Sequence, residues 1–107
     1  MVVYELVEED GAPTGILVDT EKATASWNER FDFDGRNQIS KATGSQWEHE
    51  KLFRSLKGRY YIERFSQWQG VLPYARPVDK REAARWLLKN GYDLPEDLAG
   101  LEEEIIE

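Results

Sequence analysis

The sequence predicts an α+β fold: a small antiparallel β-sheet of hairpins or a meander, with one or two C-terminal helices packed on one face. Three observations lead there. Two strand-like runs flank a glycine turn in the middle of the chain. Helical periodicity with its own start and stop signals begins only after Asp79. The first third holds short β-favouring runs separated by turn residues.

Val2 to Glu8 is rich in Val, Tyr and Leu and reads as a strand, ended by Glu9-Asp10-Gly11. Gly15-Ile16-Leu17-Val18 follows Pro13 as the returning arm of a hairpin. Asp19 or Thr20 then either caps a short helix or turns the chain into a third strand, Lys22 to Glu29. Residues 30–46, with Asp34-Gly35 and Gly44-Ser45, read as a polar connection.

Trp47–Ser55 and Arg59–Gln67 flank Leu56-Lys57-Gly58. A two-residue loop sets Lys51 opposite Arg64, a like-charge pair. A three-residue loop, with Gly58 in the left-handed conformation, sets Lys51 opposite Glu63, Glu50 opposite Arg64, Leu52 opposite Ile62 and Phe53 opposite Tyr61. Favourable cross-strand pairs stabilise by roughly 0.2–1 kcal/mol each and like charges oppose pairing, so the longer loop is expected. Ser45-Gln46-Trp47 and Ser66-Gln67-Trp68 then lie at the open end of this hairpin, where the two indoles are expected to close one end of the core.

Trp68 to Pro77, with Gly70, Pro73 and Pro77, reads as irregular. Asp79, followed three residues later by Glu82, starts a helix as a variant capping box. Its apolar face is Ala83, Trp86, Leu87 and Asn90, widened by Ala84 and Leu88; Lys89-Asn90-Gly91 stops it. A second, shorter helix from Pro95 would bury Leu98, Leu101 and Ile105, with residues 102–107 as a fraying acidic end. No linker composition interrupts residues 1–107, so a single domain is expected.

The 107 residues carry a formal net charge of −7 and no cysteine. Thiolate chemistry, disulfides and cysteine-ligated metals are thereby excluded. Met1-Val2-Val3-Tyr4-Glu5 lacks the basic and apolar regions of a signal peptide, and no apolar run approaches the ~20 residues of a membrane span, so a cytoplasmic protein without membrane partners is expected. The charge is segregated: residues 1–50 carry −7, residues 51–89 carry +7 and residues 90–107 carry −7. Such a layout points either to an interaction surface or to internal compensation between segments.

No motif specifies catalysis. His49 is the only histidine; on a strand, Glu48 and Glu50 point away from it, so the three are not a preformed metal cluster, and packing beside Phe65 is expected. Asp32-Phe33-Asp34-Gly35-Arg36-Asn37 has its Gly at the fourth position rather than the sixth of a calcium loop and reads as a turn. No G-x-S-x-G, P-loop or dinucleotide fingerprint is present. The expectation is therefore a protein that is not an enzyme and uses no cofactor or metal.

The cationic, aromatic centre is the candidate binding surface: Lys51, Arg54, Arg59, Arg64 and Trp68 on and after the hairpin, and Arg81, Arg85 and Lys89 at four-residue spacing on the helix. Aromatic rings beside cations can stack bases while the cations meet phosphates. A solvated helix face and a core-facing half of the aromatics account for the same residues. The stretch from Trp68-Gln69-Gly70 through Glu82-Ala83-Ala84-Arg85-Trp86-Leu87-Leu88-Lys89-Asn90-Gly91 resembles the C-terminal halves of small bacterial proteins without an assigned function. That resemblance implies a bacterial source and carries over no functional residue.

The leading expectation is a non-catalytic protein-binding module or small regulator acting through its charge-patterned surface, with a protein partner. An acidic inhibitor that mimics nucleic acid is one form of it. The alternative is a nucleic-acid-binding protein using residues 51–89, and pairing of two copies through a sheet edge stays open.

Overall fold

Eight strands are found among the described residues of the computed structural model, which covers residues 3–67, 70 and 72–106. β1 (Val3–Val7) and β2 (Pro13–Asp19) form the first hairpin. Asp19 then caps a single 3-10 turn, Thr20–Lys22, by accepting from the Glu21 amide, and β3 (Ala25–Asn28) follows. The two alternatives open in the sequence for this stretch thus occur in succession.

Residues 30–46 are more regular than expected. β4 (Phe31–Phe33) and β5 (Gln38–Ser40) make a small separate hairpin around the predicted turn. Asp34 Oδ1 accepts from the amides of Arg36 and Asn37, and these donors hold its carboxyl below its ordinary range. The hairpin escapes sequence reading because each strand has only three residues.

β6 (Glu48–Arg54) and β7 (Tyr60–Ser66) pair in the expected register, with Lys51 opposite Glu63 and Glu50 opposite Arg64. The Gly58 amide donates to the Ser55 carbonyl, and Gly58 adopts φ +85°, which residues with a Cβ avoid. At the open end the Gln67 amide reaches the Trp47 carbonyl. Trp47 is 42% exposed; the expectation that its indole and that of Trp68 close one end of the core involves Trp68, which lies outside the described residues.

Two corrections concern the sheet. It has six strands, in the order β2-β1-β8-β7-β6-β3, and is larger than predicted. It is also mixed: the stretch expected to be irregular contains β8 (Tyr74–Pro77), antiparallel to β7 and parallel to β1 through Leu6 and Ala75. Prolines on both sides of Tyr74-Ala75-Arg76 hide this strand. Pro77 is tolerated because it is the last residue of the strand.

The sheet must curl. β2 and β3 are its opposite edges, yet only residues 20–24 connect them. Six flat strands would separate the outer two by about 24 Å, more than the ~20 Å that six Cα steps reach. The inner face of the curl therefore closes on its own cluster of Leu6, Val18, Phe53, Tyr61 and Ala75, with Phe53 and Tyr61 stacked at 5.1 Å.

The outer face packs against α1 (Lys80–Lys89), and Leu52, Tyr60, Ile62, Ala83, Ala84, Trp86, Leu87 and Leu98 form the second cluster. Asp79 caps α1 through the Glu82 amide, while the Glu82 carboxylate meets Arg76 at 2.8 Å. At the other end Gly91 donates to Leu88 and Tyr92 to Leu87, with Gly91 at φ +80°, a Schellman stop. Buried Asn90 donates to the Trp86 carbonyl and accepts from the Arg30 amide, docking the β4–β5 region onto the helix end. A 3-10 segment, Glu96–Leu101, and α2 (Glu102–Ile105) complete the cover, with Leu98 buried and Leu101 and Ile105 half-buried. The architecture is α+β, and no helix among the described residues is long and apolar enough to cross a membrane.

Candidate functional site

Folding distributes the predicted binding residues over both sheet faces. Lys51 is on the inner face, its Nζ 5.1 Å from the Phe53 ring. Arg54 and Arg64 point to the outer face. Arg54 lies 3.6 Å from Asp97, and Arg64 donates through Nε to Glu48 at 3.0 Å and faces Glu50 at 3.6 Å. Arg81 is 3.8 Å from Glu104. Arg85 and Lys89 border a cleft of about 500 Å3 that also contains Glu50, Arg76, Glu82 and Trp86. Arg59 sits in the β6–β7 turn; Trp68 is outside the described residues.

Four of the ten bases in residues 51–89 thus pair with carboxylates: Arg54, Arg64, Arg76 and Arg81. Their partners include Glu48 and Glu50 from the acidic first segment and Asp97 and Glu104 from the last, so part of the segregation is internal compensation. Among the described residues the other bases of this segment join no ion pair, and three of them, Lys57, Arg59 and Lys80, come together.

They meet around a groove of about 760 Å3. Ile16, Leu17, Val18 and Asp19 of β2 form one wall, and Ser55–Arg59 of the β6–β7 turn form the other. Exposed Leu17 and Leu56 contribute apolar surface, the buried Tyr60 and Val78 lie behind them, and Asp79 and Lys80 at the start of α1 also line the groove. Lys22 adds a fourth cation, so the lining carries four bases against two acids, Asp19 and Asp79. The Tyr60 hydroxyl is turned away and donates to Asp97 at 2.9 Å; burial first, then that carboxylate, pushes its pKa up to about 12.

Of these four cations the candidate set from the sequence contains only Arg59, although Lys57 belongs to the same cationic, aromatic stretch. Lys22 is one of only four bases in the acidic residues 1–50, and Lys57 and Lys80 occupy a turn and a helix start, where lysine is ordinary. Only the curl of the sheet brings β2 and the β6–β7 turn to face one another.

The only histidine is structural in setting. The His49 ring stacks on Phe65 at 5.4 Å, as expected, and meets the edge of Phe31 at 6.0 Å. Its Nδ1 is bonded to buried Glu29, whose other oxygen accepts from the Ser40 hydroxyl at 2.7 Å and the Glu50 amide at 2.8 Å. Ser40 therefore donates to Glu29 and not to the imidazole. His49 Nε2 is buried and meets no polar partner among the described residues. No group of three His, Asp or Glu side chains placed to hold a metal ion occurs among the described residues.

No family model matches this chain, and no curated protein or solved structure is significantly similar to it.

Proposed function

We propose that this is a non-catalytic protein-binding module, a small regulator that engages a partner protein through the groove between β2 and the β6–β7 turn. The gathering of Lys22, Lys57, Arg59 and Lys80 without carboxylate partners among the described residues carries this reading. Uncompensated charge beside the exposed Leu17 and Leu56 supplies both electrostatic steering and apolar area to bury. Nucleic acid suits the groove less well. Asp19 and Asp79 would oppose phosphates, and the one ring in the lining, Tyr60, is only 2% exposed and offers no face for base stacking.

The test compares the full chain with a Lys57→Glu/Arg59→Glu/Lys80→Glu variant as bait in nuclease-treated lysate. The expected result is a discrete protein retained by the parent chain and lost with the variant. Recovery of no partner, or equal retention by both baits, overturns the proposal.

A further inference from the structure

We infer that the outer edge of β2 at Ile16–Asp19 is the seat for one extended, acidic segment of a partner protein, added to the sheet as a seventh strand. The inference rests on the protein-binding reading above and names the chemistry of what binds. The sheet has two edge strands, and they differ. At β3 the Tyr92 hydroxyl donates to the Asn28 carbonyl at 2.8 Å, and Pro95 and Asp97 stand beside Ala25 and Trp27. Among the described residues no strand pairs with the outer edge of β2.

Side chains alternate between the faces of a strand, so a groove touching one face meets every second residue. This groove is lined by four in succession, Ile16, Leu17, Val18 and Asp19, which means that it runs along the strand's edge. Unpaired backbone groups on such an edge are a template for another strand. Pro13 and Gly15, the latter at φ +77°, interrupt regular geometry earlier in β2 and confine the seat to the last four residues.

The charge selects the guest. An added strand presents alternate side chains to the exposed apolar side chains of Leu17 and Leu56 and to the cations of the rim. Acidic residues alternating with β-branched ones satisfy both. A second copy of this chain does not: an edge-to-edge pair through β2 would bring two sets of the same four cations together.

The probe is a blocked peptide of about ten residues alternating glutamate with valine, titrated into the isotope-labelled full chain and followed by amide NMR and hydrogen exchange. Slowed exchange within Leu17–Asp19 is expected, the Ile16 amide being already held by the Thr14 hydroxyl, with affinity falling about tenfold or more in Lys57→Glu/Arg59→Glu. Both replaced residues lie in an exposed turn, and the variant's amide spectrum verifies its fold. A lysine–valine peptide, and the acidic peptide N-methylated at alternate residues along one edge, should fail to bind.

Binding without protection within Leu17–Asp19, or undiminished binding of the N-methylated peptide, overturns strand addition and leaves the groove reading standing. No binding of the acidic peptide overturns the inference, while the lysate comparison decides the groove reading separately. Tighter binding of a single-stranded oligonucleotide in the groove overturns both. Self-association that protects the β2 edge identifies a second copy as the guest and overturns the inference.

Discussion

At Glu50 two demands compete. Its side chain lies under α1, where it accepts from the Trp86 indole at 3.1 Å and faces Arg64, and the residue is only 6% exposed. Burial raises its pKa, and the indole and Arg64 offset only part of that. A carboxyl with a raised folded-state pKa binds its proton more tightly folded than unfolded, so stability falls as pH rises through the window above the ordinary value of 4.5. Glu50→Gln, which keeps an acceptor for Trp86, should remove this component. Urea midpoints of parent and variant, measured from about pH 4 to about pH 7, should converge at the acid end and separate in favour of the variant as pH rises. A parent curve that gains on the variant with rising pH contradicts the assignment. The neighbouring Glu29, also buried, accepts from the Ser40 hydroxyl and the Glu50 amide and is hydrogen-bonded to His49.

The β6–β7 hairpin is the element in which local chemistry decided most. Gly58 permits the three-residue loop, that loop sets the register, and the register places Leu52 and Ile62 under α1 and Phe53 and Tyr61 inside the curl. An added Cβ at Gly58 would approach the Arg54 side chain no closer than 3.5 Å, so the cost of Gly58→Ala is conformational rather than steric. The expected loss is about 1–2 kcal/mol by denaturant unfolding, with Gly58→Asn losing less because asparagine tolerates the left-handed region. Equal stability of Gly58→Ala and the parent chain would show that the turn does not depend on that conformation.

For the molecule as a whole, the curl separates two apolar clusters by one layer of sheet, and they share no residue. Val18 belongs to the inner cluster and Ile62 to the outer one. Removing two methyl groups in Val18→Ala should cost about 2 kcal/mol and one in Ile62→Val about 1 kcal/mol. Because the sites have no cluster in common, the double variant should lose the sum to within about 0.5 kcal/mol. A larger coupling in equilibrium unfolding would mean that the layers yield together through the sheet.

What the residues alone determined is what near neighbours determine: the first and central hairpins, the central register, the Asp79 cap, the glycine stop after Asn90 and the apolar face of α1. Each is fixed by an interaction spanning a turn or a cross-strand pair, so its signature is written in consecutive residues. The hidden strand β8 and the six-strand order depend on distant partners. Tyr74–Pro77 becomes a strand because β7 and β1 offer edges on both sides of it, and nothing within its four residues says so. The same holds for the groove. The sequence fixes how many cations the middle of the chain carries, but the curl decides which meet carboxylates and which stand unpaired beside the open edge of β2, because charge pairing acts through space and not along the chain.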